Sequence, residues 1–125
     1  MPSNILVVDD SKFSRQRSLA IVREMLAEQA ICLEAANGEE ALTILGQKHV
    51  DLVLLDLTMP GLSGYDVLAE MRNRNLTAPV VVISADVQRL ARERVIELGA
   101  IDFIAKPVSV EALGPILTTI GVRHG

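Results

Sequence analysis

The stretch VLLDLTMPGLSG, residues 53–64, decides how the rest of the chain is interpreted. It begins with three apolar residues that lead into Asp56, and a loop containing Pro60 and Gly61 follows, two residue types that favour turns. A short run that is apolar at every position is typical of a strand covered by helices on both faces. The stretch therefore predicts a buried parallel strand that ends at an acid, at the edge where such sheets bind ligands.

The same pattern recurs on both sides of this stretch. Short apolar runs occur at residues 4–8, 30–35, 51–55, 79–83 and 101–105, and stretches with helical spacing lie between and after them. Five strands that alternate with five helices predict an α/β domain with a parallel sheet. On the first helix an apolar face is opposed by three arginines, which we interpret as a solvated face: Arg15, Arg17 and Arg23.

The predicted helix ends carry local signals. Asn37 followed by Glu40 resembles a capping box, and Ser109 is placed to cap the fifth helix. Gly114 and Pro115 interrupt the spacing of that helix. Because proline inside a helix removes a hydrogen bond and clashes with the preceding turn, we expect the fifth helix to be kinked or to start late.

Length and charge bound the class of protein. The chain has 125 residues, and we expect one domain over residues 1–125 with no output domain. Its formal net charge is −4, so we expect no direct binding to nucleic acid, which needs clustered Lys and Arg. No targeting segment or apolar run of membrane-spanning length occurs, and the single cysteine, Cys32, cannot form an internal disulfide. We therefore expect a cytoplasmic protein without membrane insertion.

Polar side chains follow four of the five predicted strands. They are Asp9 and Asp10 after the first strand, Asp56 after the third, Ser84 after the fourth, and Lys106, followed by Pro107, after the fifth. Because the carboxyl ends of parallel strands meet at one edge, we expect these side chains to converge. Any one acid here is commonly a turn former or a helix cap, so the functional interpretation rests on their joint occurrence.

Three carboxylates brought together repel one another. Two charges about 4 Å apart cost about 4 kcal/mol at an effective dielectric near 20, so protonation, a lysine or a metal must offset the repulsion. Oxygen ligands with an incomplete shell suit Mg²⁺ or Mn²⁺. With the ammonium of Lys106 and the hydroxyl of Ser84, the set is equipped to stabilise phosphoryl transfer to a carboxylate.

Four segments of the chain now form a recognisable set. ILVVDDS, VLLDLTMPGLSG, VVVISA and GAIDFIAKP resemble, in the same order, the signature segments of receiver domains of two-component response regulators. The resemblance covers essentially the whole chain. It implies a flavodoxin-like (βα)5 three-layer sandwich with a parallel five-stranded sheet in the order 2-1-3-4-5, and a cis peptide bond between Lys106 and Pro107.

The resemblance also implies a role for each strand-end residue. Asp56 is the implied phosphoacceptor, which takes the phosphoryl group from a phosphohistidine on a histidine kinase or a histidine phosphotransfer protein. The implied metal ligands are Asp10, Asp56 and the backbone carbonyl of Thr58, with Asp9 acting through water. The resemblance implies that Lys106 would pair with the phosphoryl group, that Ser84 would swing to bind it, and that Phe103 would move inward. It also implies that Thr58 and Asp86 would flank the phosphoryl group and tune its lifetime.

These roles describe a single-domain phosphorelay switch rather than an enzyme, although it would catalyse its own phosphorylation and dephosphorylation. Its surface of fourth helix, fifth strand and fifth helix would change to bind a downstream protein. Two residues keep simpler interpretations beside these. Asp86 is also placed to cap the fourth helix, and Phe103 is also interpreted as a plain core aromatic.

Four alternatives remain open from the sequence. The chain could be a phosphate sink or relay intermediate without its own output, or a module that binds only in its unphosphorylated form. A haloacid dehalogenase-like phosphatase also uses an aspartyl nucleophile, but it needs a second Asp where Thr58 stands. A flavin-binding electron carrier needs a hydroxyl-rich phosphate loop after the first strand, where DDSKFS stands.

Overall fold

The computed structural model describes residues 2–124, with side chains over residues 2–119. Its elements, in chain order, are β1 (Ser3–Val8), α1 (Lys12–Leu26), a short 3-10 helix (Ala27–Gln29), β2 (Ala30–Ala35), α2 (Gly38–Gln47), β3 (Leu52–Leu55), α3 (Gly64–Asn73), β4 (Val80–Ser84), α4 (Arg89–Glu97), β5 (Asp102–Ala105) and α5 (Val110–His124). The predicted alternation is confirmed, except that Ser84 is the last residue of β4 rather than the residue after it. None of the helices in this described part is both long and apolar enough to cross a membrane.

All the strand pairs are parallel, and the sheet has the order β2-β1-β3-β4-β5. This confirms the predicted flavodoxin-like topology. Every residue of β3 and of β4 is buried. Asp51 stands directly before β3 and Asp56 directly after it, and both are buried as well. Because a crossover connection joins each strand to the next parallel strand, the carboxyl ends of β1, β3, β4 and β5 lie at one edge of the sheet.

Helices cover the sheet on both faces because alternate strand residues point to opposite sides. One face packs against α2, α3 and α4 through Leu6, Val8, Val53, Leu55, Val80 and Val82. The other packs against α1 and α5 through Ile5, Val7, Leu52, Leu54, Val81 and Ile83. The domain is therefore a three-layer sandwich with two separate cores, as the continuous apolar runs predict.

Side-chain caps fix where the helices begin. Ser63 and Asp66 form a reciprocal capping box at α3, in which the Asp66 N–H donates to Ser63 Oγ (3.2 Å) and the Ser63 N–H donates to Asp66 Oδ2 (2.9 Å). At α2, Asn37 accepts from the Glu40 N–H at 2.9 Å, so the predicted cap is present. The Glu40 carboxylate, however, accepts from the Asn37 side-chain amide at 3.1 Å rather than from its backbone, as a capping box would require.

Helix α5 does not start late, so that alternative is wrong, and the kink stays a prediction. It begins at Val110, and Ser109 Oγ accepts from the Ala112 N–H at 3.2 Å, as predicted. Pro115 lies inside the helix. Leu113 and Leu117, on either side of it, are both 0 % exposed. Burying each such side chain contributes about 1.5–3 kcal/mol, which together offsets the roughly 3 kcal/mol that proline costs in a helix.

Gly64 is the first residue of α3, lies against the end of β3 and ends the loop that follows Asp56. Its N–H donates to the Leu57 carbonyl at 2.9 Å, and a Cβ there would lie 2.5 Å from the Asp56 carbonyl oxygen. A backbone oxygen cannot rotate away, so we expect Gly64→Ala to lower the free energy of unfolding by about 1.5 kcal/mol. Urea unfolding measures this change.

Gly46, near the end of α2, is the matched control for Gly64. A Cβ there would meet nothing within 4 Å. Since alanine is the better helix former, we expect Gly46→Ala to raise the free energy of unfolding by about 0.5–1 kcal/mol. Changes of the same sign in the two variants would contradict the steric explanation.

Candidate functional site

Three acids meet at the carboxyl edge of the sheet. The Asp56 N–H donates to the Val8 carbonyl at 2.9 Å, and the Asp9 N–H donates to the Ala35 carbonyl at 3.1 Å, so backbone bonds hold the strand ends side by side. One carboxylate oxygen from each of Asp9, Asp10 and Asp56 lies within 4.8 Å of the others. Asp9 and Asp56 are buried, whereas Asp10 is exposed and leaves the cluster open to solvent.

Lys106 completes the cluster from the end of β5. Its backbone N–H donates to the Ser84 carbonyl at 2.8 Å, and its peptide bond to Pro107 is cis, as the resemblance implies. Its Nζ lies 3.0 Å from Asp9 Oδ2 and 3.4 Å from Asp56 Oδ1. The structure therefore brings together the four charged side chains that the sequence places at the ends of strands one, three and five.

The charges at this edge do not balance. Burial and the neighbouring charge of Asp9 raise the pKa of Asp56 from 3.8 to about 6, against the opposing effect of Lys106. Burial disfavours the ammonium of Lys106, but its bonds to Asp9 and Asp56 outweigh this and raise the pKa of Lys106. One cation thus faces three acids, and a second cation would relieve the repulsion that remains.

Ser84 and Asp86 are linked through the loop before α4. Ser84 is 1 % exposed, and its Oγ accepts from the Asp86 N–H at 3.0 Å, which leaves its hydroxyl proton for donation. The Asp86 carboxylate accepts from the Gln88 N–H at 3.1 Å. Because Gln88 itself is the N-cap residue of α4 and has no side-chain cap bond, Asp86 shapes the loop and does not cap the helix. The capping interpretation of Asp86 is therefore wrong.

The remaining two predicted residues lie around this centre. Thr58 is exposed in the loop between β3 and α3. Phe103 is 8 % exposed and belongs to the core beneath α2, α3 and α4, with the guanidinium carbon of Arg92 5.9 Å from its ring centroid. The aromatic ring is therefore already buried in this structure, as a core aromatic would be, and its movement on phosphorylation stays a prediction.

The contacts of two arginines of α1 were not predicted from the sequence. Arg15 Nη1 donates to the Asp9 carbonyl and Arg15 Nε to Glu34 Oε1, both at 2.8 Å, and Arg17 Nε donates to the Val108 carbonyl at 2.9 Å. Arg15, whose side chain is 15 % exposed, therefore does not lie on a solvated face, whereas Arg17 and Arg23 are exposed as that interpretation requires, although Arg17 also bonds a carbonyl. Helix side chains lean toward the N-terminus, so residues of the first turn after the Asp9–Asp10 loop reach back to that loop. This direction is the signal that could have identified Arg15.

The donor set fits a hard divalent cation. All the available ligand atoms are oxygens, which Mg²⁺ and Mn²⁺ prefer, and the exposure of Asp10 leaves room for the waters that Mg²⁺ retains. The pKa of Asp56 near 6 means that this carboxylate is mostly ionised at neutral pH and able to act as a ligand. Lys106 occupies one side of Asp56, so a cation would approach from the side of Asp10.

The chain is similar in sequence to known signalling proteins. A sequence model of the response regulator receiver domain matches residues 5–118. Sensor histidine kinase RcsC of Escherichia coli is 35% identical over 119 residues, which are 95% of this chain and 12% of that protein. The positive alginate biosynthesis regulatory protein of Pseudomonas aeruginosa is 35% identical over 114 residues, which are 91% of this chain and 45% of that protein. This chain therefore spans less than half of the length of either relative.

Solved structures share the fold. The receiver domain of a Francisella response regulator has a TM-score of 0.83 and 25% identity, covering 98% of this chain and 99% of the other. A response regulator receiver protein of Pseudomonas putida has a TM-score of 0.81 and 27% identity, covering 95% of this chain and 98% of the other. The similarity therefore extends over nearly the whole length of both compared domains.

Proposed function

Since this chain belongs to the response regulator receiver domain family, we propose that Asp56 accepts a phosphoryl group from a phosphohistidine in a reaction that requires Mg²⁺ or Mn²⁺. Receiver domains are modules of two-component phosphorelay signalling and not classical enzymes. The observation that carries the proposal is the position of the Asp56 carboxylate, buried between two other acids and the Lys106 ammonium. Such a nucleophile is preorganised and lies in a site that attracts cations.

In the proposed reaction, an ionised Asp56 oxygen attacks the phosphorus, the new O–P bond forms, and the N–P bond to the donor imidazole breaks. The imidazole nitrogen leaves with the bonding electron pair and takes up a proton. Asp10, Asp56 and the Thr58 carbonyl would hold the cation directly, with Asp9 acting through water. When bound, Mg²⁺ would neutralise charge on the phosphoryl oxygens, which is the main requirement of phosphoryl transfer.

Lys106 and Ser84 complete the proposed site. The Lys106 ammonium, now paired with Asp9 and Asp56, would pair with a phosphoryl oxygen on the side opposite the cation. The buried Ser84 hydroxyl would donate its proton to another phosphoryl oxygen. Thr58 and Asp86, two residues beyond Asp56 and Ser84, would flank the phosphoryl group and set how readily water hydrolyses it.

The register of β4 and β5 supports a switch that starts at Ser84. Ser84 pairs with Ala105 and Val82 pairs with Phe103, so Phe103 lies one diagonal step from Ser84 and a movement of Ser84 would be transmitted to it. A phosphoryl group adds a charge of about −1.5 to −2 beside Ser84. We propose that the resulting change in the surface of α4, β5 and α5 is read by a downstream protein, and that a histidine kinase or a histidine phosphotransfer protein is the donor.

Intact mass after incubation with acetyl phosphate and Mg²⁺ tests the assignment of Asp56. We expect one phosphoryl adduct on the wild type and none on Asp56→Asn. Asp102→Asn is the matched control, because Asp102 lies at the opposite end of the sheet, at the start of β5, and its Oδ1 accepts only a local bond from the Phe103 N–H. Adducts on both wild type and Asp56→Asn, or on neither, would defeat the assignment.

A pull-down of binding proteins with and without beryllofluoride, a mimic of the phosphoryl group, distinguishes a switch from a phosphate sink. A switch would retain a protein partner only in the beryllofluoride-bound form. A sink or relay intermediate would carry the same adduct on Asp56 and exchange it with a phosphotransfer protein, while no partner would distinguish the two forms.

A further inference from the structure

Arg15 ties together three elements at the edge of the acid cluster. It lies on α1, its Nη1 donates to the carbonyl of Asp9 beyond the end of β1, and its Nε donates to Glu34 near the end of β2, both at 2.8 Å. The Arg15 side chain is only 15 % exposed. The Glu34 side chain is 42 % exposed, so the ion pair is partly solvated, whereas the bond to the buried Asp9 is a charge-assisted bond in a less solvated position.

The carbonyl that Arg15 binds belongs to the peptide between Asp9 and Asp10. Each of the other polar atoms of Asp9 is also held: its N–H by Ala35, its Oδ1 by the Ser11 N–H at 2.9 Å, and its Oδ2 by Lys106. This carbonyl lies just past the paired residues of β1, which end at Val8, so no strand neighbour fixes it. The orientation of that peptide determines where the exposed carboxylate of Asp10 points.

We propose that Arg15 is a positioning residue that fixes the Asp9–Asp10 peptide in the orientation required for cation binding, an inference that rests on the proposed function. The guanidinium suits this task because its Nε–H and Nη1–H are fixed in one rigid plane and donate to two separate acceptors at once. The bond from Nε to Glu34 orients the guanidinium, and its Nη1–H then donates to the Asp9 carbonyl. A lysine at this position offers a single charged centre and cannot hold both acceptors in the same geometry.

Mg²⁺ binding measured by isothermal titration, without any phosphodonor, tests this role. We expect Arg15→Met and Arg15→Lys each to raise the Kd for Mg²⁺ by about tenfold, the effect usual for groups that orient metal ligands. At saturating Mg²⁺, we expect the phosphorylation rate with acetyl phosphate to return to within about twofold of the wild type, because the fully loaded site is again in place.

Arg17→Met is the matched control. Arg17 lies on the same helix and makes a bond of the same kind, 2.9 Å long, but to the carbonyl of Val108 rather than to a residue of the acid cluster. We expect it to lower the melting temperature by no more than Arg15→Met does, since Arg17 is exposed and makes one such bond, while leaving the Kd for Mg²⁺ within about twofold of the wild type. Equal weakening of Mg²⁺ binding by Arg17→Met would overturn the proposal, because loosening of α1 would then explain both results.

Two further results would also overturn the inference. An unchanged Kd in Arg15→Met would mean that Arg15 only stabilises the fold, and full recovery in Arg15→Lys would mean that charge alone suffices. In both cases the wild type still binds Mg²⁺ and takes a phosphoryl group, so the proposed function stands. A wild type that neither binds Mg²⁺ nor accepts a phosphoryl group would overturn the proposed function and this inference together.

Discussion

Asp56→Asn is expected to raise the free energy of unfolding by about 2 kcal/mol near neutral pH in the absence of divalent cations. Burial and the charge of Asp9 raise the pKa of Asp56 from 3.8 to about 6. A difference of this size corresponds to about 3 kcal/mol between the two protonation states, which we reduce to about 2 because solvent reaches the cluster beside Asp10. The neutral amide does not carry the charge that this site disfavours.

The pH dependence of this stabilisation has a definite sign. A carboxyl group with a raised pKa binds its proton more tightly in the folded protein than in the unfolded chain. The wild type therefore loses this stability as pH rises from about 4 to about 6, whereas Asp56→Asn does not. The two proteins should differ little at a pH near 4, and the full difference should be present above a pH of about 6.5.

Urea unfolding at both pH values, with a chelator present, measures the difference. Asp102→Asn serves as the control, since it replaces an acid at the far end of β5 without relieving the cluster. Excess Mg²⁺ should narrow the stability difference between the two proteins, because a ligand that binds only the folded wild type stabilises it by an amount that grows with the logarithm of the ligand concentration above the Kd. An Asp56→Asn protein that is less stable than the wild type at neutral pH would show that the acids do not repel as their geometry implies.

Lys106→Met is expected to lower the free energy of unfolding by about 3 kcal/mol without Mg²⁺, because it leaves two buried carboxylates without their cation. Lys106 Nζ is 3.0 Å from Asp9 and 3.4 Å from Asp56, and its side chain is 20% exposed. The same change removes a positive charge that competes with the divalent cation. We therefore also expect tighter Mg²⁺ binding, together with at least tenfold slower acceptance of a phosphoryl group.

The combination of these three effects distinguishes Lys106 from a residue that is only structural. Unfolding curves with and without Mg²⁺, titration with Mg²⁺, and the rate of adduct formation measure them separately. Lys48→Met removes an exposed lysine at the end of α2 and should leave all three unchanged. Weaker Mg²⁺ binding in Lys106→Met would contradict the view that the ammonium and the cation share the same acids.

The sequence predicted the parts of this site that depend on strand order alone. In a parallel sheet the residue after each strand has only one edge to occupy, so Asp9, Asp56 and Lys106 could be placed together before any contact was known. The two cores were predictable for a similar reason, because β3 and β4 are apolar at every position. The first prediction follows from the direction of the strands and the second from their apolar sequence, and neither needs contacts between particular side chains.

The contacts of α1 could not be predicted in the same way. Arg17 and Val108 are separated by 91 residues, and the bond exists only after α1 and α5 pack against the same face of the sheet. The charge pattern of a helix does not show which arginines find a carbonyl and which face water. The start of α5 was mistaken because proline was considered without the two leucines that its helix buries.

The acids at the two ends of β3 have a consequence for how the sheet is assembled. A strand that is apolar on both faces carries no alternation that would fix its register, and a slip by one residue would still place apolar groups on each side. Asp51 and Asp56 bound the four residues of β3, so a slip in either direction would draw a carboxylate between the helical layers. Asp56, the acid proposed to receive the phosphoryl group, thus also helps to fix the register of β3.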